Sequence, residues 1–599
     1  DVGAYNSLLG TSCTEIAARS RTQHKSQGFG STGSRGEQIE FFEHLKGKMA
    51  GKSLFDDMVT DWSRLEGTDA IKQQIERIQS TYRADRPQQS VPDLITLRGL
   101  VSELKDTYWR KKKTADIDAL IKDCAGLYLE ATADDHWGAP GDSIHLQIEA
   151  ISRSFAGVEW VSYSIPELSK TKTLSEVLDL NKKSEASLAT ILPSNLETSQ
   201  PYWLKKPGTL GTYQVDEPAL IGQPENAPAL SVDFKLNIGG EYISYSLPVV
   251  YKWNDPVNGE LYRPFSVTPP VLLTFSESSQ LFAGEEEKEI ELTIKSISSG
   301  IDATVELQRS NGWDIRPRNF KFNSEKEGEE QKFKVLIKPL RGAKPIDIRA
   351  RIRVQGKIYQ QGLSEIVYDH IPDQVYMPDA KIHLVYVDIQ KKGKRIGYIP
   401  GAGDVVPESL RSIGYEVDEL SEADITTENL KQYDAIVTGI RLLNVDERID
   451  FYMPILLEYS NLGGTLVIQY NTRHRLKTDN FSPFPIKLSR DRVTEEDAEV
   501  RFLLADHPVL NTPNKLTMAD FDGWVQERGL YFPSEWGEEY DAILSWNDKG
   551  ETPKDGALLV AKHGQGHYVY SGISFFRELP AGVPGAYRLL VNLISLGNE

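Results

Sequence analysis

Cysteine is almost absent: Cys13 and Cys124 are the only two thiols in 599 residues. That is too few for a disulfide framework or a cysteine-rich zinc site. The two either form one disulfide or stay free and buried, with the free pair expected, and the scarcity suits an oxidising compartment. A run of about 18 apolar residues is also lacking, so no segment reads as a membrane-spanning helix. Basic charge is short as well. Against 87 Asp and Glu stand 68 Lys and Arg, a net charge of −19, which repels phosphate backbones and anionic lipid headgroups. Nucleic acid and membrane surfaces are therefore not expected partners. The chain opens on Asp1 with neither an initiator Met nor a charged-then-apolar leader, so it reads as a processed protein or a piece of a longer one. There is no repeat of fixed period and no extended low-complexity tract.

What is present is the composition of folded domains, 39% hydrophobic and 26% charged. At about 150 residues per domain, the length predicts roughly four domains. Residues 1–50 are rich in Gly, Ser and Arg, with a short helix around Glu15–Ala18, and carry too little apolar surface to fold alone. Residues 51–134 turn helical. Ile71, Ile75, Ile78 and Tyr82 recur every three to four positions, as do Leu97, Val101, Leu104 and Tyr108, and Ile117, Leu120, Ile121, Cys124 and Leu127. Pro87 and Pro92 separate two of these helices.

From residue 135 the period becomes two, in Ile144, Leu146 and Ile148 and again in Val232, Phe234, Leu236 and Ile238, with Gly239-Gly240 as a hairpin turn. This predicts a β-sandwich over 135–268. A second, immunoglobulin-like sandwich is predicted over 269–372 from the alternation in Ile290–Ile294, Phe333–Ile337 and Ile348–Val354. Beyond it, over 373–599, strand, glycine loop and helix alternate: Arg395–Ile399, Pro400–Asp404, then Pro407–Ile413 closed by Gly414. Further buried strands are expected at Asp434–Gly439 and Thr465–Tyr470, and a last helix at Gly585–Leu596. The fold class is multidomain α+β and α/β: a helical segment, two β-sandwiches, then an α/β domain with a mainly parallel sheet.

Several motifs could carry chemistry. Gly401 and Gly403 supply two glycines of a dinucleotide fingerprint, but Val406 stands at the third; the loop reads instead as a strand-to-helix turn with Asp404 as cap. A hydrolase or amidotransferase of this architecture needs Cys or Ser on a sharp turn after a central strand. After Thr465–Tyr470 come Asn471, Thr472, Arg473 and His474. Asn471 is no nucleophile, and Thr472 beside His474 is a formal pair that adjacent positions seldom point together. His563 and His567 could be a metal pair, although Gly564 and Gly566 between two strands favour a hairpin. Asp134-Asp135-His136 offers acid and base groups in what reads as a solvated connector. Tyr202, Trp203, Trp253, Trp313, Trp524, Trp536 and Trp546 are candidates to stack on sugar rings, against a core role for most of them.

The run Ala17–Gln27, with His24-Lys25-Ser26-Gln27, resembles the terminal helix of the PIG-L (LmbE-like) zinc deacetylases, and Gly28–Gly30 with Gly33–Glu37 resembles their long, multidomain branch. The resemblance implies a periplasmic, cell-surface or extracellular hydrolase that removes an N-acetyl group from an amino sugar. In that family zinc sits on an Ala-His-Pro-Asp-Asp motif and a distant His. This chain has a single His-Pro pair, His507-Pro508, followed by Val509-Leu510. Zinc is therefore expected only in a catalytic domain upstream of residue 1, with no complete active site here; Gln27 and His24 are the possible active-site edge, or else cap and pack the closing helix. Gly401–Asp404, Gly463–Leu466, Asp520–Trp524 and Tyr570–Gly572 are similar to ThuA-like, class I glutamine amidotransferase-like domains. This implies a flavodoxin-like fold over 373–599 whose nucleophilic Cys is missing. The implied partner is an N-acetylated sugar or glycan, with an envelope protein as a further candidate; a non-catalytic glycan-binding or envelope scaffold is the alternative.

Overall fold

The computed structural model describes residues 1–53, 55–56 and 58–597, apart from the side chain of Ser26. They divide into two compact units, Asp1–Pro270 with Leu363–Met377, and Val271–Gly362 with Pro378–Glu599. The architecture is multidomain, rich in β-sandwich, with helices added in both units. Among the described residues no helix is long and apolar enough to cross a membrane.

In the first unit the periodic runs fold as helices Asp69–Thr81, Val91–Ser102 and Thr107–Cys124. The third starts where the Asp106 carboxylate accepts the Trp109 amide, at 3.0 Å, an N-cap that satisfies an otherwise orphaned donor. It stops at Gly126, whose φ of +63° ends the helical path. Leu127, expected on the helix, opens the strand Leu127–Ala133 instead, buried at every second residue. A five-stranded sheet runs in the order 259–264, 250–255, 127–133, 143–152, 183–191, and a four-stranded sheet in the order 241–248, 231–238, 158–165, 170–177. Their facing side chains and the helical Ile71, Leu97, Val101 and Ile121 make one core, with Trp160 stacked on Phe234 at 5.7 Å. At the Gly239-Gly240 turn φ is +60° and +93°, the left-handed pair that a tight hairpin requires.

The second unit opens with another sandwich. Strands 271–275, 288–296, 330–339 and 313–316 form one sheet, and 279–282, 381–386, 346–354, 301–307 and 319–324 the other. The strand Lys381–Tyr386 thus completes a sandwich rather than opening the α/β part, because Ile382 and Leu384 alternate inward against Ile348. Conversely, the hairpin Ser364–Tyr368 with Ile371–Tyr376 belongs to the first unit, where Arg263 pairs with Glu365 and, at 3.5 Å, with Asp373.

The α/β part holds a seven-stranded sheet in the order 416–419, 395–399, 435–438, 465–468, 566–571, 558–563, 540–542. The first five strands are parallel, 558–563 runs antiparallel to them, and 540–542 is antiparallel to 558–563. Ala435–Thr438 and Thr465–Ile468 are buried on both faces, as parallel strands covered by helices must be. Ile449–Asn461 and Pro584–Ile594 supply that cover. Cys13 and Cys124 are both free; Cys13 is exposed rather than buried, because its helix, Cys13–Thr22, buries no residue.

Candidate functional site

Residues 1–53 are held by polar contacts: Arg35 pairs with Glu15 at 2.8 Å, Thr14 donates to Ser34 O, and the Asp1 carboxylate accepts the Gln38 amide. Their apolar side chains cover nothing. Leu8 is 95% exposed, Phe41 91% and Leu45 87%. His24 and Gln27 lie just past the helix, and both are exposed. The His24 ring tilts toward Phe29 at 6.2 Å, and the helix is closed by the Gln23 amide, so neither side chain caps it.

The other sequence candidates resolve by geometry. The Gly401–Gly403 loop sits at the point where strand 395–399 has its successors on opposite sides, the usual ligand crevice of such a sheet. Here the crevice is closed. A Cβ on Gly401 would meet Ile440 O at 2.2 Å, and Ala402 donates to that carbonyl at 2.8 Å. The Asp404 carboxylate fills the remaining donors, accepting from Val406 N (3.0 Å), Ile440 N (3.0 Å) and Tyr398 Oη (2.7 Å). The carboxylate thus satisfies these donors from within the chain.

Thr472 Oγ1 donates to the carbonyl of His474, and His474 Nε2 faces the Arg490 guanidinium at 2.7 Å, so the hydroxyl and imidazole do not form a nucleophile–base pair. His563 pairs with Gly566 and His567 with Lys562 across the hairpin. These are adjacent rungs, so the two imidazoles point to opposite faces and cannot share a metal. Among the described residues no three His, Cys, Asp or Glu side chains gather as metal ligands. The described residues therefore do not fit a zinc centre. Asp134-Asp135-His136 is the bend that connects the strands Leu127–Ala133 and Trp137–Gly138; Asp134 is exposed and exchanges backbone and carboxylate contacts with His145, and His136 packs on Trp137 at 4.0 Å. Trp313, Trp524 and Trp546 are buried in cores, while Tyr202, Trp203, Trp253 and Trp536 keep exposed surface.

Trp536 lines a cleft of about 540 Å³ with Asp479, Asn480, Ser482, Phe484 and Lys487, within the size range of small-ligand sites.

The carboxyl edge of the parallel sheet carries a constellation that the sequence reading missed. Strand 435–438 leads through Gly439-Ile440 into the short helix Leu442–Val445, and at the turn Arg441 has φ +58°. The sequence candidates for a nucleophile turn lie one strand further on, at Asn471–His474; this left-handed turn is occupied by an arginine. It is locked in place. Arg441 N donates to Tyr470 O (2.8 Å), Leu443 N to Asn471 Oδ1 (2.9 Å), and Asn444 Nδ2 to the carbonyls of Thr472 and His474 (2.9 and 3.1 Å).

Above the turn, Tyr470 packs 5.3 Å from Phe576 and nearly parallel to Tyr531 at 6.3 Å. Burial pushes the Tyr470 hydroxyl pKa up; Arg441 and Arg577 oppose this, while Glu527 and Tyr531 add to it. Arg577 pairs with Glu527 at 2.7 Å and lies 4.9 Å over the Phe576 ring. Gln526 (φ +67°), Tyr531 (φ +54°) and Arg475 (φ +59°) are left-handed as well, a conformation costing about 1–3 kcal/mol at each non-glycine residue. Beneath them Glu578 is buried, its carboxyl pushed up to about 8 by burial while it accepts from Val525 N and Ser574 Oγ. Ser574 is itself buried and donates to Glu527 O at 2.6 Å, so it is no free nucleophile. The rim carries arginine side chains beside aromatic rings. Its one sequence signal is Arg473-His474-Arg475 in an otherwise acidic chain.

No family model matches the chain, and no curated protein does. Among solved structures, the native α-2-macroglobulin of E. coli aligns over 44% of this chain and 17% of its own, at 10% identity and a TM-score of 0.16. Red sea bream transglutaminase aligns over 47% and 34%, at 9% identity and TM-score 0.21. A Porphyromonas gingivalis W83 protein of unknown function aligns over 43% and 99%, at 9% identity and TM-score 0.11. The chain thus spans under half the length of the first two, and likeness at these scores assigns neither fold nor activity.

Proposed function

We propose that this chain is the accessory, carboxyl-terminal part of a PIG-L type zinc deacetylase acting on N-acetylated sugars at the cell envelope or outside it. The catalytic motif and its zinc would lie upstream of Asp1, and residues 373–599 would form a flavodoxin-like, ThuA-like domain without a nucleophile. One observation carries the reading: residues 1–53 bury almost nothing of their own and present Leu8, Phe41 and Leu45 to solvent, as the closing piece of a larger domain would. Exposed apolar side chains gathered in one segment signal a missing covering surface. His24 and Gln27, exposed and without side-chain hydrogen bonds among the described residues, are free to reach an active site formed by that surface.

Peptide mapping of the native polypeptide, with metal analysis, tests this. Expected are peptides upstream of Asp1 that carry His-Pro-Asp-Asp and one zinc per native polypeptide, with none bound by the 599-residue chain alone. The reading falls if Asp1 is the native terminus and no companion chain supplies that motif.

The Trp536 cleft favours a second reading, a glycan-binding scaffold. Its indole face offers a stacking surface, and Asp479 and Asn480 offer side-chain groups that hydrogen-bond no other described residue. Saturation-transfer NMR with chitooligosaccharides, lost on Trp536→Ala, would support it; no transfer to the wild-type chain would sink it.

A further inference from the structure

We propose that the carboxyl edge of the parallel sheet is a binding site for a sugar ring bearing an anionic group, a carboxylate or a phosphate. The site needs nothing from the deacetylase reading and lies on different residues. Its basis is charge that the molecule leaves unmatched. The whole chain carries −19, and most of its arginines near acids pair with them, as Arg577 does with Glu527. At the rim Arg441, Arg473 and Arg475 are exposed and make no ion pair or side-chain hydrogen bond with any described residue, and the Arg490 guanidinium meets His474 Nε2 rather than a carboxylate.

These arginines are placed, not scattered. Asn444 clamps the carbonyls of Thr472 and His474, and Lys477 N donates to Leu443 O, so the loop bearing Arg473 and Arg475 is fastened around the turn bearing Arg441. Arg441 and Arg475 are both held left-handed, a strained backbone that the surrounding contacts impose. Beside Arg441 the half-buried Tyr531 and Phe576 rings flank the buried Tyr470 and form an aromatic wall.

The neighbouring crevice is already filled by Asp404, so an incoming anion is directed outward to these guanidinium groups. Guanidinium forks match carboxylate and phosphate oxygens in pairs, and aromatic faces take the apolar face of a ring. One exposed charge pair improves affinity by only about fivefold or less. Selectivity for a charged ring therefore comes from several arginines and the wall acting together.

The test is titration calorimetry of the 599-residue chain with D-glucuronate, D-glucose 6-phosphate, D-glucose and inorganic phosphate. Both anionic sugars are expected to bind and to weaken as salt is raised, with glucose at least tenfold weaker; the two anionic arms show which group is preferred. Arg441→Asn and Arg475→Asn keep the left-handed turn, which Asn tolerates, and each should cost about three- to fivefold in affinity. Arg411→Asn, remote from the rim, should cost nothing. The proposal is overturned if neither anionic sugar binds, if glucose binds as well as glucuronate, if phosphate alone matches glucose 6-phosphate, or if the Arg441 and Arg475 variants, shown folded by circular dichroism, bind as tightly as the wild type.

Discussion

Glu578 shows how one buried carboxyl sets a pH dependence. Its folded pKa of about 8 lies above the ordinary 4.5, so the fold prefers the neutral acid. The stability this group contributes is complete below the ordinary value and is lost as pH rises through the folded one. Glu578→Gln keeps an acceptor for Val525 N and cannot ionise. Melting curves of the two proteins should coincide near pH 4.5 and separate as pH is raised to about 8, the variant melting higher. Identical curves at both pH values would show that the carboxyl is not held neutral. Asp404 is half-buried, and its carboxylate is answered by two amides and a tyrosine hydroxyl. Asp404→Ala leaves the Tyr398 hydroxyl and both amides without their acceptor, and chemical denaturation should show a loss of about 2–4 kcal/mol.

At the scale of elements, the sequence was most legible where burial alternates. Ile144, Leu146 and Ile148, and Val232 through Ile238, are strands with those residues inward, because a period of two is written directly in side-chain type. The segment read as helical to residue 134 leaves the helix at Gly126 and continues as the strand Leu127–Ala133, since Leu127 keeps the helical spacing while the backbone has already turned. The rim stayed hidden for a different reason. A left-handed Arg441, Gln526 or Tyr531 has none of the Gly or Asn signature that marks such turns, and the topology gathers Arg441, Tyr470, Glu527 and Arg577 from places far apart in the chain. The Gly564–Gly566 hairpin offers a check on close packing. A Cβ on Gly566 would meet Gly464 O at 2.2 Å and Ser460 O at 2.4 Å, so Gly566→Ala should destabilise the protein by about 1–3 kcal/mol through forced separation of sheet and helix. An unchanged denaturation midpoint would show that the contact can give.

At the scale of the whole molecule, the two folded units and residues 1–53 differ in kind. The units have cores built on Trp160, Trp313 and Trp546, whereas residues 1–53 have almost no buried apolar surface. Trypsin should therefore cut first at Lys46, Lys48 or Lys52, and the remaining body should melt within about 2 °C of the uncut chain, since little burial is lost with the fragment. A large drop in melting temperature after that cut would mean that the segment supports the core.

The Asp404 contact has a consequence for how such a molecule is regulated and diversified. A tethered carboxylate competes with dissolved anions at an effective concentration no metabolite reaches, so the donors that Asp404 satisfies at the crevice are closed to them. Freeing that crevice would take the loss of one side chain and the parting of two glycine backbones. Its present form commits recognition to the outer surface, where variation in a few arginines can change the ligand without disturbing the sheet that carries them.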